Sequence, residues 1–130
     1  MELIRTFDIL ENLIAVCPHK ADMLNGKIKG KWIGYSVKEY TELTDKASCG
    51  LLALGLKKGD LVATISNNRP EWNIMDMAFS KAGVIHVPIY PTISEADYTY
   101  ILSNCEPKYL IVADKVLYEK LKPKYQHRQS

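Results

Sequence analysis

Three short segments carry residue types that could do chemistry. The first, Gly26-Lys27-Ile28-Lys29-Gly30-Lys31, sets lysines between glycines in the manner of a phosphate-cradling loop. Such a loop needs four residues between the glycine pair and a Ser or Thr after the lysine to hold magnesium. Here there are three, and Trp32 takes the hydroxyl position. A hairpin turn accounts for the segment better. The second, Ser66-Asn67-Asn68-Arg69-Pro70, leads from an apolar run into a helix, where backbone N–H groups could meet an anion. It contains no glycine, so the backbone cannot close on a pyrophosphate as a dinucleotide fold requires. Helix capping and loop hydrogen bonds are the plainer reading.

The third segment, Cys17-Pro18-His19, is the nearest approach to a ligand pair. His19, His86 and His127 have no acidic or cysteine partner at metal-ligand spacing. His86 lies inside an apolar run, where a hydrogen-bonded structural histidine is the default. No serine sits in a Gly-x-Ser-x-Gly elbow. Trp32 and Trp72 read as packing anchors. The sequence therefore assigns no catalytic, no cofactor-binding and no metal-ligating residue.

The elements that would carry these segments follow from periodicity and punctuation. Phe7, Leu10, Leu13 and Ile14 recur at helical spacing, with Thr6 or Asp8 able to cap the start and Pro18 to end it. Residues 21–35 alternate, and Lys27, Lys29 and Lys31 would share one strand face with Ile28 and Trp32 on the other. Either Asn25-Gly26 or Lys29-Gly30 could turn that hairpin. Ser36-Val37-Lys38-Glu39 is a capping box opening a helix with Val37, Tyr40, Leu43, Ala47, Leu51 and Leu52 inward, stopped at Gly55. Leu61-Val62-Ala63-Thr64-Ile65 is a buried-type strand. Pro70 suits the first turn of the next helix, which Gly83 ends. A second buried-type strand follows over residues 84–89, then a helix capped by Ser94, a third strand over residues 109–112, and a short helix fading before Pro123. The order strand, helix, strand, helix, strand predicts a βαβαβ unit with right-handed crossovers and a parallel sheet. The fold class is α/β, an N-terminal hairpin joined to that unit and flanked by helices.

Composition narrows the function classes. The 130 residues are 47% hydrophobic and 25% charged, the balance of an ordinary globular domain. A net charge of +2, with lysines scattered along the chain, argues against a nucleic-acid partner. Cys17, Cys49 and Cys105 are odd in number and far apart, as reduced thiols of a cytoplasmic protein are. The N-terminus does not read as a secretory signal, and no apolar run predicts a transmembrane segment.

Four segments stand together in a telling order. They are residues 35–40, Gly55-Leu56-Lys57-Lys58-Gly59-Asp60, Ser66-Asn67-Asn68-Arg69-Pro70-Glu71-Trp72, and residues 81–92 ending Val87-Pro88-Ile89-Tyr90-Pro91-Thr92. In this order and spacing the chain resembles the N-terminal part of AMP-forming acyl-CoA synthetases from about Thr6 to about Leu121. The wording of the last two segments is most similar to the long-chain fatty-acid branch. That resemblance implies a parent ligase that activates a carboxylate with ATP and magnesium, releases pyrophosphate, and passes the acyl group to coenzyme A. The family's phosphate loop and its adenine, ribose and catalytic-lysine motifs lie downstream of the region covered. The resemblance thus makes residues 1–121 a partial N-terminal domain, with residues 122–130 as a polar tail or cut end.

The implied partners are the remainder of the synthetase and, in the parent, a fatty acid. The implied location is cytoplasmic, with peripheral membrane association of the parent as an open alternative. The isolated chain is expected to be inert and, with its sheet cut at an edge, able to dimerise. The competing expectation is a complete small α/β binding or interaction module without catalysis.

Overall fold

The computed structural model describes residues 2–126, so His127 and the last residues of the predicted tail lie outside the described part. The chain divides into two units, Met1–Gly59 with Asn68–Val84, and Asp60–Asn67 with Ile85–Ser130.

In the first unit, helix α1 (Asp8–Val16) begins without a side-chain cap, because Phe7 holds the N-cap position. Neither Thr6 nor Asp8 caps it as predicted. The Asp8 carboxylate instead turns back on the preceding segment. It accepts from the Ile4 and Arg5 N–H groups at 3.2 and 2.8 Å and from Arg5 Nε at 3.0 Å.

Strands β1 (Leu24–Ile28) and β2 (Lys31–Tyr35) form an antiparallel hairpin whose register pairs Ile28 with Lys31. That leaves Lys29-Gly30 as a two-residue turn with both φ angles positive, +48° and +80°, the primed-turn geometry that matches strand twist. The register corrects the predicted faces: Lys27 sits opposite Trp32 and Ile28 opposite Lys31, so each face carries a lysine. Asn25-Gly26 is not a turn but part of β1. Gly26 is needed there because a Cβ would come within 2.7 Å of Pro70 Cδ.

Helix α2 (Val37–Ala53) opens on the predicted capping box. The Glu39 N–H donates to Ser36 Oγ at 3.1 Å, and Glu39 Oε2 accepts from the Ser36 N–H at 2.8 Å. Its buried stripe is Val37, Tyr40, Thr44, Ser48 and Leu51, rotated from the predicted one. Leu43 and Leu52 are exposed. The partner is helix α3 (Pro70–Ala82), which buries Ile74, Ala78 and Ala82. Small residues on both helices let the axes approach, and that outweighs the greater hydrophobicity of leucine. Leu10, Tyr40 and Ile74 form the core of this unit, with Leu24 and Tyr35 of the hairpin packed against it. The hairpin thus packs its base against the helices of this unit.

The second unit holds a parallel sheet in the order β4-β3-β5, made of β3 (Leu61–Ile65), β4 (Ile85–Ile89) and β5 (Tyr109–Val112). Pro88 of β4 stands opposite Thr64. Only β3 matches the prediction of strands buried on both faces; Ile85, Tyr109 and Ile111 are exposed. An apolar run signals a strand, but its cover depends on neighbours that the outer strands have on one side only. Ala63, Ile65 and Ile89 pack with Tyr98 and Leu102 of α4 (Glu95–Cys105) and Leu121 of α5 (Lys115–Gln126).

Helix α5 does not fade before Pro123 but runs through it. A proline inside a helix removes one backbone hydrogen bond. Burial of Leu121 and a 2.8 Å bond from the Tyr125 hydroxyl to the Pro107 carbonyl hold the weakened turn.

The carboxylates of this fold give it a predictable acid sensitivity. The Arg5 guanidinium and two backbone N–H groups hold the Asp8 carboxyl below the usual carboxylate range. The Ser36 N–H and hydroxyl do the same for Glu39, and the Arg69 side chain for Glu71. A carboxyl depressed in the folded state stabilises the fold above its unfolded pKa, and the contribution is lost as pH falls through the folded value. The urea midpoint should therefore hold steady near neutrality and drop below about pH 4. Asp8→Asn should lower the midpoint at neutral pH and flatten the acid slope. A midpoint indifferent to acid would refute the assignment.

Candidate functional site

The segments with chemical potential occupy structurally committed places, the first two meeting where Gly26 packs against Pro70. In Gly26–Lys31 the backbone belongs to the β1–β2 ladder and its two-residue turn. After β3, the Ser66 hydroxyl donates to the Asn67 carbonyl at 2.8 Å. Arg69, at the N-cap of α3, makes no side-chain capping bond, and its Nε donates to Glu71 Oε2 at 2.9 Å. The positive end of α3 thus has an acid of its own in the first turn, and the predicted capping by this segment's side chains is replaced by Pro70 and Glu71.

The Cys17 N–H closes α1 on the Leu13 carbonyl at 2.8 Å, and His19 is exposed beyond it. Among the described residues, no three His, Cys, Asp or Glu side chains gather as a metal cluster would. His86 Nε2 lies 2.7 Å from Thr64 Oγ1 across β3 and β4. The distance suits a nucleophile and base, but Thr64 is buried within the sheet, and the pair serves as an internal hydrogen bond. Trp72 is half-buried, whereas Trp32, read as a packing anchor, is exposed.

The sequence reading missed an apolar depression of about 150 Å³ beside β5 and α5, lined by Leu110, Val112, Tyr118, Leu121, Lys122 and Tyr125. Ligand pockets usually run to several hundred Å³, so this one is small for a substrate. Two of its walls come from residues assigned to a polar tail, and the Leu121, Tyr125 spacing of one helical turn was the available signal. Thr64 and His86, in the same unit, are not among its lining residues.

The four segments that stand in order along the sequence fall at element boundaries. Residues 35–40 end β2 and cap α2, and Gly55–Asp60 close α2. Residues 66–72 open α3, and residues 81–92 end α3 and build β4. The sequence pattern of the family described as "AMP-binding enzyme" covers residues 13–130. The chain belongs to that family.

Relatives with curated names are similar over much of the chain. The long-chain-fatty-acid–CoA ligase FadD15 of Mycobacterium bovis is 35% identical over 79 residues, covering 61% of this chain and 13% of that protein. The long-chain-fatty-acid–CoA ligase ACSBG1 of Bos taurus is 32% identical over 101 residues, covering 78% of this chain and 14% of that protein. The chain therefore spans about an eighth to a seventh of the length of these relatives. Among solved structures, the N-terminal subdomain of Klebsiella oxytoca NpsA superposes with a TM-score of 0.72 at 26% identity, covering 87% of this chain and 28% of that one. The fold is that of the N-terminal region of adenylate-forming acyl-CoA ligases.

Proposed function

We propose that this chain is the opening portion of a long-chain fatty-acid–CoA ligase, which converts fatty acid, ATP and coenzyme A to acyl-CoA, AMP and pyrophosphate with magnesium. The 130-residue chain alone carries out no step of that reaction. The observation that carries this reading is the match to long-chain ligases over a region whose phosphate-compatible segments are all committed to structure. On this reading residues 1–121 belong to the parent's N-terminal domain, and residues 122–130 lead out of it. The parent works in the cytoplasm and meets membranes peripherally to collect its substrate. The rest of the synthetase covers the open side of β5 and the depression beside α5; without it, a second copy does so.

Calorimetric titration of the isolated chain with magnesium-ATP tests the inertness. The expected result is no binding in the low micromolar range, which corresponds to roughly −8 kcal/mol; a heat of that affinity would overturn it. Reading the coding frame past Ser130 tests the rest. A continuing frame with a Ser, Thr and Gly-rich loop supports the ligase, whereas a stop codon favours a small α/β binding module.

A further inference from the structure

The tip of the β1–β2 hairpin has a surface composition that packing does not explain. Trp32 is 73% exposed, and Ile28 and Ile33 flank it at 46% and 42%. An aromatic side chain this exposed forgoes the large burial that tryptophan ordinarily supplies. Around these apolar groups stand Lys27, Lys29 and Lys31, with Lys27 Nζ 5.9 Å from the Trp32 ring centroid. No acid occurs between Asp22 and Glu39. Those two are themselves engaged, Asp22 by Lys20 Nζ at 2.8 Å and Glu39 by Ser36. The register distributes the set over both faces, Lys27 with Trp32 on one and Ile28 with Lys31 on the other. The tip is therefore a prong, cationic and apolar all round, held in shape by its primed turn.

We infer that this prong docks on anionic phospholipid surfaces, with Trp32, Ile28 and Ile33 entering the interface and the three lysines meeting lipid headgroups. Tryptophan favours the membrane–water boundary because its ring is apolar and its N–H polar. Lysines beside it add electrostatic attraction to an anionic leaflet. A single-stranded nucleic acid fits less well: one aromatic platform and three cations offer little stacking, and two isoleucines have no role there. The inference deepens the peripheral-membrane reading of the parent and owes nothing to ligase chemistry. Vesicle binding and fatty-acid activation are measured separately, and either can fail alone.

The test is co-sedimentation of the full 130-residue chain with vesicles of phosphatidylcholine, alone or in equal parts with phosphatidylserine. Binding should require phosphatidylserine and weaken with added salt. Replacing Lys27, Lys29 and Lys31 together with glutamine should weaken it about fivefold per lysine, on the order of 100-fold in all. Trp32→Ala should weaken it roughly tenfold, with the circular dichroism spectrum unchanged because the side chain is exposed. In a Trp72→Phe background Trp32 is the sole tryptophan. Its emission should shift to the blue on vesicle binding and be quenched by brominated acyl chains. Sedimentation equal with neutral vesicles, unaltered binding by either variant, or an unshifted Trp32 emission overturns the inference. So does a chain that ignores both vesicles yet retards an oligonucleotide.

Discussion

Replacing Tyr98 with alanine should destabilise the protein by about 3–5 kcal/mol, a large part of the stability of an ordinary small domain. Tyr98 is fully buried among Ala63, Ile65, Ile89, Leu102 and Leu121, and its hydroxyl donates to the Tyr90 carbonyl at 3.1 Å. Truncation removes the ring from the centre of the second unit and leaves that carbonyl without its donor. Tyr98→Phe keeps the ring and loses only the hydrogen bond, so it should cost about 1 kcal/mol. Urea denaturation of the three proteins separates the two terms. A Tyr98→Ala variant within a few tenths of a kcal/mol of the parent would show that α4 does not pack as described.

The second large effect concerns the full-length ligase proposed above. Each buried methylene contributes about 0.8 kcal/mol. A ligase with a long-chain acyl tunnel should therefore separate palmitate from acetate by orders of magnitude in kcat/KM. Pyrophosphate release is the measurement, with palmitate, octanoate, benzoate and acetate as substrates. Equal rates on palmitate and acetate would remove the long-chain assignment and leave the family. No release with any carboxylate would count against ligase activity.

The sequence exposed much of what depended on local chemistry, though not the start of α1, where neither Thr6 nor Asp8 caps. Ser36 with Glu39, and Ser94, announced two helix starts, and the structure has a reciprocal capping box at each, the second completed by Asp97. Gly55 and Gly83 announced two helix ends. The strand order along the chain and the parallel sheet were legible because β-branched runs alternate with capped helices. Quantities set by neighbours were hidden. The inward face of α2 depends on the small residues of α3, so Thr44 and Ser48 are buried where Leu43 and Leu52 were predicted. The hairpin faces depended on which glycine made the turn, and that choice moved Trp32 beside Lys27. Pro123 signalled a helix end by its own chemistry, but Leu121 and Tyr125 bind to surfaces far away in sequence. For the candidate site, the missing glycines after β3 were visible at once. The depression beside α5 was not, because Lys122 and Tyr125 of its lining belong to a segment that looked like a tail.

Pro88 gives the sheet a direction of growth. The Ile85 N–H donates to the Asp60 carbonyl, next to β3, so by strand alternation Pro88 belongs to the positions whose backbone faces away from β3. A proline there has no N–H to offer an incoming strand. On the opposite margin, the Lys108 N–H donates to the Leu61 carbonyl, which directs the backbone of Tyr109 and Ile111 outward, with no proline among them. One border of the sheet thus lacks a donor at Pro88, whereas the other has no proline at the corresponding positions. Any further strand approaching β4 would therefore meet a gap in the donor row at Pro88, a single residue that works against open-ended stacking on that side.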